Sequence, residues 1–190
     1  MKLILASASP RRKELLEFLG YPFEVKISCV NEDTLPQESP PEYVARVSRD
    51  KCLSVFRENP DAIVLSGDTS VVLDSRILGK PENRDQAREM ISALSGRSHL
   101  VYSAFSIMGP SLAEVISECI TTEVIFRKLA EEEIDSYVTT DEPYDKAGGY
   151  AIQGIAGKFI PEIRGSVSSV IGLPLSEVDE ALRKVMAFHS

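Results

Sequence analysis

The chain has 190 residues, of which 43% are hydrophobic and 26% charged, and its formal net charge is −8. That balance is ordinary for a soluble globular protein and excludes a disordered, collagen-like or low-complexity chain. The acidity argues against a nucleic-acid partner, because duplex binding rests on neutralising phosphates.

The length fits one domain over 1–190, built as two lobes sharing a core, and no linker or repeat divides it. The charge is uneven: the first thirteen residues hold Lys2, Arg11, Arg12 and Lys13 and no carboxylate. A small basic island in an acidic chain suggests a local anion site. Cys29, Cys52 and Cys119 form no CxxC or Cys/His cluster, so a zinc site or disulfide framework is not expected and a reducing cytoplasm is. The histidines are His99 and His189, and a Ser-His-Asp or Cys-His enzyme would have to rest on His99. No apolar run approaches the ~18 residues that span a bilayer, so no membrane partner is expected. Met1–Ala8 imitates a secretory leader, but its apolar part falls short of the ~7 residues of such a segment and Arg11-Arg12 follow at once.

In chain order, Lys2–Ala6 reads as a buried strand. Ser9 is an N-cap and Pro10 a first helical residue, for a helix to about Leu19 that Gly20 stops. Phe23–Cys29 reads as a second strand and residues 31–39 as a loop. Ser39-Pro40-Pro41-Glu42 is a capping box opening a helix to about Phe56, with Val44, Val47 and Val55 on one stripe. Ala62–Ser66 is a central strand ending at Gly67-Asp68-Thr69, and Val71–Leu73 a further short strand. Asn83 and Gln86 cap a helix carrying Ala87, Met90, Ile91 and Leu94, ended by Gly96. Residues 98–108 and 114–126 form a long hairpin, 130–139 a helix, 143–172 a glycine-rich irregular stretch and 176–187 a last helix. The pattern is α/β with a mixed sheet flanked by helices.

Several stretches carry chemistry. Ser7-Ala8-Ser9-Pro10-Arg11-Arg12-Lys13 places two hydroxyls and three cations at a helix N-terminus after a strand, an anion site. Cations there oppose the helix dipole, which makes a merely solvated first turn electrostatically costly. Asp68, at a strand end, can hold a metal or take a proton from water, or simply shape a turn. Lys51 lies on the apolar stripe of its helix and either snorkels, the default, or points into a cleft. Lys80 is fixed between Gly79 and Pro81. Gln153, in Lys146-Ala147-Gly148-Gly149-Tyr150-Ala151-Ile152-Gln153-Gly154, offers an amide donor and acceptor that suit a nucleobase edge, or is an ordinary loop glutamine. No GxxxxGK[ST] or GxGxxG is present. Gly154-Ile155-Ala156-Gly157-Lys158 resembles a KH-type loop, which the acidity opposes.

Together these stretches resemble the Maf family of nucleoside triphosphate pyrophosphatases. The segments that carry the likeness are Ser7–Arg12 with Glu14-Leu15-Leu16, Gly67-Asp68-Thr69, Gly79-Lys80-Pro81 and Asp145–Gly154, with Gly165-Ser166 and 170–175 fitting later. The resemblance implies an inosine-triphosphatase-like fold with a cleft between two lobes. It also implies hydrolysis between the α and β phosphates with a divalent cation, Mg²⁺ or Mn²⁺. By the same resemblance Asp68 is the proton acceptor, and Arg12, Thr69 and Gln153 bear on substrate choice, in the manner of the branch acting on dTTP and UTP. Glu32 matches an acidic position of the family, while Asn31, Val167 and Ser169 depart from its usual residues. The expected roles are therefore Ser7, Arg11, Arg12, Lys51 and Lys80 on the phosphates, Asp68 and Glu32 on the metal and attacking water, and Gln153 on the base. A homodimer is admissible but leaves no signature. The alternatives are a nucleotide-binding regulator of cell division with little turnover, a pyrophosphatase for another nucleotide such as 7-methyl-GTP, and a small RNA-binding domain.

Overall fold

The structure is a computed structural model that describes residues 2–187, so His189 lies outside the described residues. Strands β1 (Leu3–Leu5), β2 (Phe23–Val25), β3 (Ile63–Leu73), β4 (Arg76–Leu78), β5 (Ser98–Met108), β6 (Ile116–Ile125) and β7 (Glu162–Arg164) form one sheet. Its order is β2-β1-β3-β5-β6-β7, with β4 pairing on β3. The β1–β2 and β1–β3 pairs are parallel and the others antiparallel, which makes the mixed sheet expected from the pattern. Helices α1 (Pro10–Glu17), α2 (Pro40–Glu58), α3 (Arg84–Leu94), α4 (Glu131–Tyr137), α5 (Val167–Ile171) and α6 (Leu175–Ala187) flank it.

Most elements start where their capping residues predict. Ser9 Oγ accepts the Arg12 N–H and Pro10 begins α1. The Glu42 carboxylate accepts the Ser39 N–H at 2.9 Å at the start of α2, and Asn83 caps α3. Helix α2 buries Val44, Val47, Cys52 and Val55. Burial of each valine contributes about 2 kcal/mol.

Three expectations are corrected. First, Gly67-Asp68-Thr69 does not end a strand: β3 runs unbroken through it, because β5 pairs opposite from Val64↔Met108 to Val72↔Leu100. A continuous antiparallel ladder overrides the turn preference of a Gly-Asp pair. Second, the second strand stops at Val25 rather than Cys29. Its partner β1 ends at Leu5, and only the Lys26 N–H to Leu5 carbonyl bond continues the ladder. Third, the stretch 143–172 is not wholly irregular: it contains 3₁₀ turns, β7 on the edge of β6, and α5.

On the edge of β3 away from β5, β1 covers residues 63–65 and β4 covers 71–73. Between them residues 66–70 have no strand beside them among the described residues. The apolar core divides at the same place. Ile63 and Leu65 join a cluster with Leu3, Leu15, Phe105 and Val185, whereas Val71 and Leu73 join one with Ile91, Leu94, Phe126 and Phe159. The interval between carries Ser66, Gly67, Asp68, Thr69 and Ser70, a polar waist between two lobes.

Candidate active site

The open edge of β3 faces a cleft of ≈ 660 Å³. That volume lies within the range of small-molecule sites. Ser7, Arg11, Arg12, Glu32, Lys51, Asp68, Thr69, Lys80 and Gln153 all line it, although they come from six separate parts of the chain. The site therefore sits beyond the C-terminal end of β1, where the sheet leaves a gap, rather than at an end of β3.

Asp68 is 7% exposed and Lys51 8% exposed. The Lys51 ammonium donates to Asp68 Oδ1 at 3.0 Å and to Glu32 Oε2 at 2.8 Å. Lys51 thus points inward and does not snorkel: it reaches the cleft from α2 because Val47 and Val55 hold that face of the helix against the sheet. Burial pushes the Asp68 carboxyl above the usual carboxylate range, against the pull of Lys51 and Arg12. An elevated pKa on a buried carboxylate is the property of a usable base near neutral pH.

Arg12 is held on three sides. Its Nε donates to the Gly172 carbonyl at 2.9 Å, Nη1 to Ser7 Oγ at 3.3 Å and Nη2 to Thr69 Oγ1 at 3.3 Å. Burial lowers its pKa, opposed by Asp68. Thr69 is fixed in turn by Ser103 Oγ at 2.9 Å. Gly67 makes room for this clamp, since a Cβ there would lie 3.2 Å from Arg12 Nε and 3.2 Å from the Ala104 carbonyl. The clamp joins α1, β3 and the end of α5, so it spans the cleft floor.

Lys80 and Gln153 are exposed and make no hydrogen bond or ion pair within the described residues. Their loops are tied by the Gly148 N–H to the Gly79 carbonyl at 2.9 Å. Among the described residues the Arg11 side chain makes only a 3.8 Å ion pair with Asp145. These groups form a polar rim open to a ligand, while Asp68, Lys51 and Arg12 are pre-set beneath it.

The site includes groups that the sequence reading omitted. Lys146 lines the cleft beside Asp145, and its place before two glycines was the available signal. Tyr43 lines it too and donates to the Glu32 carbonyl at 2.9 Å. Burial, with Asp68 and Glu32 next, raises its pKa. Tyr43, Val47 and Lys51 recur at i, i+4 and i+8, so helical spacing could have found it. Ser103 and the Gly172 carbonyl gave no sequence signal, because each acts through a tertiary contact.

His99 lies elsewhere. It is 3% exposed, its Nε2 is 2.6 Å from the Tyr150 hydroxyl, and it packs edge-on against Phe126 and Tyr150. Burial lowers its pKa to about 4, so it is neutral at physiological pH. It belongs to an aromatic core.

Among the described residues no three His, Cys, Asp or Glu side chains gather as a metal cluster. The donor set nonetheless fits a hard divalent cation. Two carboxylates, Asp68 and Glu32, converge on one ammonium at the cleft wall. Magnesium characteristically takes one or two carboxylates and completes its shell with water and substrate phosphates. No helix among the described residues is long and apolar enough to cross a membrane.

Comparison with known proteins places the chain in a family. A dTTP/UTP pyrophosphatase of Syntrophus aciditrophicus (strain SB) is 50% identical over 182 residues, covering 96% of this chain and 89% of the relative. One of Anaeromyxobacter dehalogenans (strain 2CP-1 / ATCC BAA-258) is 48% identical over 185 residues, covering 96% and 93%. One of Bacillus cereus (strain G9842) is 46% identical over 183 residues, covering 96% and 95%. Among solved structures, the Staphylococcus aureus Ham1 protein is similar with a TM-score of 0.54 over 97% of this chain and 99% of that one. At 11% identity that likeness concerns the fold alone. The family described as Maf-like protein matches residues 2–185, which takes in every site segment from Ser7 to Gly172. On the fold, the cleft and a match of this extent, the chain belongs to the Maf family.

Proposed function

We propose that this protein is a nucleoside triphosphate pyrophosphatase that hydrolyses dTTP and UTP to the nucleoside monophosphate and pyrophosphate. The observation that carries the proposal is the buried Asp68 carboxylate, raised in pKa, seated between Lys51 and Arg12 on the floor of a cation-lined cleft. The relatives, dTTP/UTP pyrophosphatases by name, support the same reaction and favour it over a nucleotide-binding regulator with little turnover.

In this reading Arg11, Arg12, Lys51, Lys80 and Ser7 bind the triphosphate, with Lys146 beside them. Phosphoryl transfer needs little covalent chemistry from a protein, so positioning and charge neutralisation dominate. Asp68 accepts a proton from water. The water oxygen forms a bond to the α-phosphorus, the bond from that phosphorus to the bridging oxygen breaks, and pyrophosphate leaves. Asp68 and Glu32 would hold a divalent cation, Mg²⁺ or Mn²⁺, which when bound supplies further neutralisation of phosphate charge. Gln153 reads the base, with Thr69 keeping Arg12 in place below. Uracil and thymine present an acceptor at position 4 and a donor at position 3, which one amide satisfies, whereas cytosine reverses the pattern.

The test is pyrophosphate release from dTTP, UTP, CTP, GTP and 7-methyl-GTP with Mg²⁺ or Mn²⁺. Fast release from dTTP and UTP alone is expected. Release from another nucleotide would keep the reaction and reject the base assignment, and binding without release would favour a regulator.

A further inference from the structure

Gln153 is exposed and its side chain has no partner among the described residues, so its aim depends on its backbone. That backbone is held from behind by one carboxylate. Glu142 accepts the Ile155 N–H at 2.6 Å and the Ala156 N–H at 3.1 Å. These are the first two residues of the 3₁₀ turn that follows Gly154. The buried Tyr137 hydroxyl lies 3.1 Å from the same carboxylate and 3.0 Å from the Gly149 carbonyl, and shares its one proton between them. On the other flank the Lys146 ammonium donates to the Glu142 backbone carbonyl at 3.1 Å. The fit is close: a Cβ at residue 154 would stand 2.2 Å from the Glu142 carboxylate, so a side chain there would push that carboxylate off the Ile155 and Ala156 N–H groups.

The geometry points to Glu142 as a positioning residue for base recognition. Its carboxylate holds the C-terminal flank of the segment 146–156 and its backbone carbonyl the Lys146 flank, which fixes the backbone position from which the Gln153 amide reaches the base. The inference rests on the proposed reading of uracil-type bases by Gln153. Charge-assisted bonds to two backbone N–H groups are stronger than neutral ones, which suits a strap that must resist loop motion. With that backbone loosened, the amide would meet the base from more than one position and could offer its donor or its acceptor to either base edge, so that cytosine would be admitted. Glu142 itself stays behind the loop and touches no substrate.

The test is a double-mutant cycle in Glu142→Gln and Gln153→Ala. For each protein kcat/KM is measured with UTP and CTP, together with its melting temperature. Glu142→Gln is expected to raise KM for UTP with kcat changed less, and to lower the UTP:CTP ratio by about tenfold. In the Gln153→Ala background the same change is expected to leave that ratio unmoved, since the strap has nothing left to aim. Equal losses on both nucleotides, or full additivity of the two substitutions, would overturn the inference and leave Glu142 a purely structural residue. Should Glu142→Gln not fold, Tyr137→Phe removes the hydroxyl behind the carboxylate and is expected to lower the ratio in the same direction, by about twofold. An unchanged ratio there overturns the inference. Wild-type protein that releases no pyrophosphate from UTP would overturn the functional reading itself, and that failure appears before any substitution is made.

Discussion

Replacing Asp68 with asparagine separates catalysis from stability. The side chain keeps its shape but loses its charge and its capacity to take a proton. A positioned general base contributes about 10²- to 10⁴-fold, so kcat for UTP should fall by that factor, or about 3 to 5 kcal/mol of barrier. Stability should move the other way or not at all. Burial raises the Asp68 pKa despite Lys51 and Arg12, so ionised Asp68 is disfavoured in the folded state. A folded pKa above the unfolded one contributes stability at low pH that is lost as pH rises through the folded value. At neutral pH the neutral amide is relieved of that penalty, and Lys51 retains Glu32 at 2.8 Å. The assay pairs pyrophosphate release from pH 5 to 9 with thermal melting at pH 7. Wild type should lose activity on the acid side at a pH above the ordinary carboxylate range, and Asp68→Asn should show little activity with no such limb. Near-normal turnover, or the same acid limb in the variant, would refute the role of Asp68. A melting temperature lowered by many degrees would refute the dominance of desolvation at this site.

Lys51→Met removes the ammonium between Asp68 and Glu32. It should cut kcat/KM by at least about tenfold. It should also move the acid limb of the rate profile to higher pH, because two facing carboxylates resist joint ionisation; a limb that stays in place would show that Lys51 does not set the Asp68 titration. Gln153→Glu should weaken the preference for UTP and dTTP, read from the ranking over five nucleotides, and an unchanged ranking would remove Gln153 from base recognition. His99 is buried neutral with a pKa of about 4, depressed from 6.5, so its contribution is present above pH 6.5 and is lost as pH falls toward 4. That loss amounts to about 3 kcal/mol by pH 4, measurable by urea unfolding. His99→Phe should flatten this limb without changing the catalytic profile, and an unaltered unfolding curve would place the acid sensitivity elsewhere.

Much of the fold and the site was readable from residues whose effects are local. The Ser9-Pro10 and Ser39-Pro40 starts, the Gly20 and Gly96 stops and the period of α3 all act within a few residues, and the structure keeps them. Arg11 and Arg12, the aspartate in Gly67-Asp68-Thr69 and the glutamine beside a glycine run marked the polar site because such residues conflict with an ordinary core or turn, whereas Lys13, expected beside them, pairs with Glu17 on the outer face of α1 and lies outside the cleft lining. Lys51 was ambiguous, since a lysine on an apolar stripe is compatible with two destinations until its neighbours are known. Tyr43 had only a helical spacing to betray it, and Ser103 had nothing.

The sequence by itself determined where the capped helices begin, the buried stripes of α2 and α3 and the long hairpin of β5 and β6, and it marked the charged side chains of the cleft. The tertiary structure alone decided where they meet. Whether Gly67-Asp68-Thr69 turns or continues depends on β5, whose pairing residues lie about thirty-five positions away in the chain and impose an extended ladder on it. The cleft exists because β1 and β4 cover different ends of one edge of β3 and leave residues 66–70 bare. The Arg12 clamp closes only when the Gly172 carbonyl arrives from 160 residues away. Local propensity acts through neighbouring dihedrals, whereas an active site is an arrangement of distant side chains, and only the packed sheet supplies that arrangement.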